Sequence, residues 1–261
     1  MRKLVNLVCI AAVLAYGLAA DVASASASGS QPYHFGFKKS RNGAPASIDE
    51  EGFKPVLETY DAIFRRDGTG KTLYLTFDNG YENGHTPKIL DVLKEKRVPA
   101  LFFVTGQFIR EQPHLLKRMS EEGHRIGNHS WSHPDLTQIS DERLASELKQ
   151  VKDSVAELTG QQEMPFLRPP RGIFSERTLS VSRKLGYINV FWSIAYVDWD
   201  TNKQQGWRHA FDKVTGQLHP GAVILLHSVS SDNAEAMGSI IDYAREQGYE
   251  FKHLEVIPGG V

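Results

Sequence analysis

His129 and His133 stand four residues apart in the segment Asn128-His129-Ser130-Trp131-Ser132-His133-Pro134-Asp135. A helical turn at that spacing would bring both imidazoles to one side, within reach of a single cation. Taken alone, such a pair is more often a surface or core feature than a site. Four other segments change that balance. Asp78 closes the apolar run Leu73-Tyr74-Leu75-Thr76-Phe77, and Arg168 and Arg171 sit in Arg168-Pro169-Pro170-Arg171-Gly172. Asp198 and Trp199 follow Ala195-Tyr196-Val197, and His227 follows Leu225-Leu226. Together these residues could run hydrolysis: a carboxylate base at Asp78 takes a proton from a metal-activated water, and an acid at His227 is oriented by Asp198. Arg168, rigidly presented by the prolines after it, would keep Asp78 ionised and aligned. Ordinary readings exist for each: Asp78 as a loop cap, Arg168 as a surface arginine, His227 as a satisfied core histidine. Trp199 and Leu225 read equally as pocket walls or plain core.

These residues can act together only if the fold gathers them. Asp78-Asn79-Gly80 carries the strongest short hairpin signal, Asn-Gly. The sequence after Gly84, however, has helical spacing (Ile89, Val92, Leu93) behind Thr86-Pro87, an N-cap followed by proline. Asp78 therefore ends a strand that leads into a helix. Strands are expected at 73–77, 100–104, 125–128, 165–168, 187–193, 222–226 and 250–254. Helices are expected from 86, at 113–122, 141–158, 176–185, 207–217 and 234–247. Seven strands separated by helices imply parallel pairing in a closed barrel or a doubly wound sheet. In both, the loops after strand C-termini carry the site, which is where every candidate residue lies.

The chain has 261 residues, 30 Lys plus Arg against 31 Asp plus Glu, and a net charge of −1. That balance excludes the strongly basic footprint of a nucleic-acid binder. The basic start Met1-Arg2-Lys3, the apolar stretch to Ala20 and the Ala-x-Ala pattern near Ala25 read as a signal peptide over 1–25. The protein is then expected to be exported, with membrane association only if the segment stays uncleaved as an anchor. Cys9, the single cysteine, lies inside that stretch, so no disulfide framework is expected. Residues 26–70 are irregular but rich in aromatics, and read as an arm that packs on the domain. Residues 255–261 read as a tail.

In this order, the motifs Thr76-Phe77-Asp78-Asn79-Gly80, His129-Ser130-Trp131-Ser132-His133, Arg168-Pro169-Pro170-Arg171-Gly172, Asp198-Trp199 and Leu225-Leu226-His227 resemble the NodB-type polysaccharide deacetylases, carbohydrate esterase family four. The resemblance spans about Lys71 to Leu254. It implies a deformed (β/α) barrel, an α/β fold, over 71–254, and metal-assisted removal of acetyl from an N-acetyl sugar in a glycan strand. It casts Asp78 as base, His129 and His133 as metal ligands, His227 as acid, Arg168 as the residue orienting the base and Asp198 as the carboxylate behind the acid. The Arg171 backbone N–H would join the metal in stabilising the tetrahedral oxyanion.

Two departures stand out. Asn79 occupies the position where most relatives place an aspartate ligand, so a metal there keeps one more unit of positive charge. Arg171 replaces the usual tyrosine. Both resemble a sporulation subgroup that deacetylates N-acetylmuramic acid of cortex peptidoglycan and yields muramic δ-lactam. Zinc is the first expectation for the metal, with cobalt, manganese or magnesium as alternatives, and a monomer is expected, acting in the cell wall or between the forespore membranes. Rival readings are a deacetylase of N-acetylglucosamine polymers, a non-catalytic glycan-binding relative, and a barrel glycosidase. The last would need paired carboxylates about 5–9 Å apart, with Asp78 and Asp198 as candidates.

Overall fold

A computed structural model of the protein describes residues 29–256. The expected signal peptide and residues 257–261 of the expected tail lie outside that range. Along the chain the elements are β1 (Tyr33–His34), α1 (Lys54–Thr59), β2 (Thr72–Asn79), α2 (Thr86–Lys96), β3 (Ala100–Val104), α3 (Gly106–Glu111), α4 (Pro113–Glu121), β4 (Arg125–Asn128) and α5 (Asp141–Thr159). There follow β5 (Phe166–Leu167), β6 (Ile173–Phe174), α6 (Glu176–Lys184), β7 (Ile188–Asn189), α7 (Trp207–Thr215), β8 (Ala222–His227), α8 (Ser231–Glu246) and β9 (Glu250–Phe251).

Seven strands form one sheet in the order β7-β5-β4-β3-β2-β8, with β9 also on β2, and every pair in it is parallel. The sheet curls into a deformed barrel. Ile194 bridges Ile224, so the segment after β7 returns to β8. The strands at 165–168, 187–193 and 250–254 are shorter than their apolar runs suggest: prolines and strand-to-loop excursions end the ladders early. A short helix, α3, was not expected. Thr105 caps it by accepting from the Phe108 N–H.

Period-two alternation sorts β2. Leu73, Leu75 and Phe77 face the helices, where they join the main core with Ile89, Leu93, Ile240 and Ile241. Tyr74 packs inside the barrel with Leu101, Phe103, Phe166, Val190 and Val223, so Thr76 and Asp78 point the same way. Burial of both faces explains the near-continuous apolar strands.

Residues 29–70 contribute to the barrel. β1 pairs antiparallel with β6, and Phe35 stacks on Phe191 at 4.5 Å between ring centroids. Further on, Ile63 bridges Val190 and Arg65 bridges Ala222, so this segment fills the gap between β7 and β8. The Arg66 carbonyl lies so close to Gly221 that a Cβ there would sit 1.6 Å from its oxygen. Only glycine fits.

Candidate active site

The parallel register sets the site. Asp78 pairs with His227 on β8 and with Phe103 on β3, and Val104 pairs with Asn128 on β4. The next rungs, His129 N–H to Val104 O at 3.1 Å and Arg168 N–H to Asn128 O at 2.9 Å, keep the following residues at the same height. The candidate base, ligands, arginine and acid therefore share one rim.

Arg168 is fully buried. Its Nη1 donates to Asp78 Oδ1 at 2.8 Å, its Nη2 to Thr76 Oγ1 and the Phe191 carbonyl, and its Nε to the Val190 carbonyl. The guanidinium lies 4.2 Å from the centre of the Phe103 ring, a cation–π contact. Burial alone would raise the Asp78 carboxyl; Arg168, followed by His129 and His227, outweighs it and holds Asp78 below the usual carboxylate range. Asp78 Oδ2 lies 3.5 Å from His129 Nε2.

The two imidazoles meet with ring centroids 4.8 Å apart, but no helical turn joins them. Ser130 and His133 both take left-handed backbone angles, φ 62° and 56°. Asn128 Oδ1 accepts from the Ser130 N–H, and Ser130 Oγ accepts from the His133 N–H. Side-chain turns thus do what a helix was expected to do. Ser132 is held from α5: the buried Glu147 carboxylate accepts from its N–H and its hydroxyl, both at 2.7 Å. Trp131 lies flat over Gly106, where a Cβ would come within 2.2 Å of the indole, and the Gly106 N–H donates to the Trp131 carbonyl. His129 Nδ1 bonds the Arg168 carbonyl at 2.8 Å, which leaves Nε2 as its free nitrogen. Burial lowers the pKa of His129, and burial, first, with the neighbouring His129 ring takes His133 down to about 4. Both rings are neutral near pH 7, the form that ligates metals.

Among the described residues, no three of His, Cys, Asp and Glu are grouped to hold a metal. A third ligand has to be another donor. Asn79 offers one: it is fully buried, its Nδ2 donates to Ser228 Oγ at 2.6 Å, and its Oδ1 has no partner among the described residues. A buried acceptor left free one residue after Asp78, at the end of the strand, suits a divalent cation of mixed nitrogen and oxygen preference.

On the acid side, Asp198 is almost wholly buried. Its Oδ1 pairs with His227 Nδ1 at 2.7 Å and its Oδ2 accepts from the His227 N–H at 2.7 Å. Asn233 Nδ2 donates to Asp198 Oδ2, and the Tyr196 hydroxyl donates to Asn233 Oδ1. Burial opposes protonation of His227, yet Asp198 overcomes it and raises the imidazole pKa above its ordinary value. With Asp78 bound to Arg168 and Asp198 to His227, neither carboxylate is free for the paired chemistry of a glycosidase.

Arg171 is half-exposed in a left-handed conformation, 3.9 Å from Asp135, and its charge reaches His133. Trp199 is exposed and Leu225 is nearly buried at the barrel end. Sequence reasoning did not single out Thr76, Glu147, Ser228 or Asn233. Glu147 reads as an ordinary helix acid four residues after Arg143, and the others carry no local signal.

The polysaccharide deacetylase family model matches residues 65–190. The chain is 50% identical to the peptidoglycan-N-acetylmuramic acid deacetylase PdaA of Bacillus subtilis (strain 168), over 95% of this chain and 93% of that protein. The solved structure of Bacillus subtilis PdaA, a family 4 carbohydrate esterase, superposes with a TM-score of 0.83 at 51% identity, covering 86% of this chain and 95% of that one. A family 4 carbohydrate esterase from Bacillus anthracis gives 0.72 at 48% identity, covering 86% and 94%. The chain belongs to the polysaccharide deacetylase family, and its barrel is the family 4 esterase fold.

Proposed function

We propose that this protein hydrolyses the N-acetyl group of N-acetylmuramic acid residues in peptidoglycan, outside the cytoplasmic membrane, and that the product in a spore cortex closes to muramic δ-lactam. A divalent cation, zinc first, held by Asn79 Oδ1, His129 Nε2 and His133 would polarise the acetamide carbonyl and acidify a water. The chain's own groups supply the rest. Asp78, kept anionic by Arg168, takes the proton from the attacking water. Protonated His227, held by Asp198, gives a proton to the sugar nitrogen as the C–N bond breaks, so that acetate and a free amine leave. The Arg171 N–H offers a donor to the oxyanion, and Trp199 and Leu225 offer walls for the sugar.

The observation that carries the substrate assignment is the Arg171 guanidinium, half-exposed at the rim with its charge reaching His133. A muramic residue stripped of its peptide bears a lactyl carboxylate that a chitin-type sugar lacks. The neutral amide of Asn79 adds to the preference by leaving the metal one unit more positive. Acetate release is expected from peptide-free muramyl glycan and not, at comparable kcat/KM, from chitooligosaccharides. Equal rates on the two would remove the assignment, and retention of acetate on both with zinc added would favour a glycan-binding relative.

A further inference from the structure

The free oxygen of Asn79 has a cause three residues away. Asn79 Nδ2 donates to Ser228 Oγ at 2.6 Å; Ser228 Oγ lies 3.0 Å from Thr86 Oγ1; Thr86 Oγ1 bonds Glu82 Oε2, and the Thr86 N–H donates to Glu82 Oε1 at 3.2 Å. Asn79, Thr86 and Ser228 are all fully buried. Each hydroxyl has one proton, and an ionised carboxylate only accepts. The Glu82 carboxylate therefore accepts the hydrogen bond that the Thr86 hydroxyl donates. Thr86 Oγ1 must then accept from the Ser228 hydroxyl, and Ser228 Oγ accepts from the amide. The row runs one way, from amide to carboxylate, and it leaves Oδ1 as the unpaired end of the side chain.

We infer that Glu82, Thr86 and Ser228 are positioning residues that fix the amide of Asn79 with its oxygen presented as a cation ligand, and that they match this site to asparagine and not aspartate. The inference rests on Asn79 being a ligand. An aspartate at 79 would only accept, so Ser228 would have to donate to it. Thr86 would still donate to Glu82, and the contact between the two hydroxyls would lose its hydrogen. Changing Glu82 to glutamine reverses the logic. Its Oε1 would accept from the Thr86 N–H and its Nε2 would donate to Thr86 Oγ1, so that Thr86 donates to Ser228 and Ser228 donates to residue 79. Such a row suits aspartate and turns an asparagine the wrong way round.

The experiment is a double-mutant cycle read by zinc affinity, from competition with a chromophoric chelator at pH 7.5, on the full chain. E82Q is expected to weaken zinc about tenfold, in the range of other changes behind metal ligands. N79D is expected to strengthen zinc about tenfold more in the E82Q background than in the native one. S228A, which cuts the row at its middle, is expected to weaken zinc about tenfold and to increase solvent exchange of the Asn79 side-chain amide protons in metal-free protein by nitrogen-15 NMR. A Glu82 that merely caps α2 would lower Tm and leave the cycle additive. Additive N79D and E82Q effects with zinc bound would overturn the inference and leave the ligand assignment intact. Absence of zinc binding in the native chain and every variant would overturn both. Should E82Q fail to fold, the S228A amide exchange decides: rates unchanged from the native chain refute the row.

Discussion

The two ends of the barrel treat buried polar atoms differently. At the rim, Arg168, Asp198, Asn233 and Glu147 are each held by two or more hydrogen bonds, Asp78 is held by Arg168, and among the described residues Asn79 Oδ1 is the buried side-chain atom there without a partner. At the end where the strands begin, His219 is fully buried with both ring nitrogens unpartnered among the described residues, and His124 Nε2 and Gln217 Oε1 are likewise unpaired there. Burial takes both His124 and His219 to a pKa of about 4, so these rings persist as neutral, weakly polar fillers. The rim uses charge and is organised around it. The opposite end tolerates imidazoles only while they carry none.

The contrast can be broken from the rim downward. Asp78→Asn removes the proposed base while keeping its shape, and kcat is expected to fall about 1,000-fold, within the range for general bases, with Tm little changed. Arg168→Ala leaves Asp78 buried without its partner; urea denaturation should show a loss of about 3–5 kcal/mol, and this would be refuted by a native midpoint. Asp198→Asn removes the charge that raises the His227 pKa. Activity at neutral pH is expected to fall about 100-fold, and the alkaline limb of kcat/KM should move to lower pH, because protonated His227 no longer persists above its ordinary range. A limb that stays in place would assign it to another group. Gly106→Ala drives a methyl into Trp131 and should cost about 1–3 kcal/mol, together with weaker zinc binding, since the loop between the two histidines must shift.

The smallest effect at neutral pH is expected at the other end. A folded-state pKa of about 4 for His219 lies below the value of about 6.5 in an unfolded chain. The unfolded state then binds more protons between those values, so the stability contributed by a neutral His219 is complete above pH 6.5 and is lost as pH falls toward 4. Between pH 7 and pH 5 the loss would be about 2 kcal/mol. His219→Leu should flatten that slope, as followed by urea midpoints across the range, and an unchanged slope would assign it elsewhere.

Much of the barrel was legible because both faces of each strand are buried. Continuous apolar runs marked β2, β3 and β8 to within two residues, and capping residues such as Ser140 marked the start of α5. That polar residues end several strands could also be read from the chain. The turn between His129 and His133 could not, because two non-glycine residues adopt left-handed angles there and nothing in their types announces it. Thr86 reads as a helix cap, but His85 takes that position and the threonine hydroxyl turns to Ser228 and Glu82. The contact to Ser228 joins residues 142 positions apart, and local pattern carries no trace of it.

Ile63 and Arg65 bridge residues that lie 127 and 157 positions later in the chain, Val190 and Ala222. Such distant pairings raise contact order and slow folding, because loop-closure entropy is lost before any contact rewards it. The seam between β7 and β8 can be sealed only after β8 has been synthesised, which makes that closure late relative to the other rungs. Until then two sheet edges stay open to pairing with other chains, and residues 63–65, which precede every strand of that sheet in the chain, are among the last to find their place.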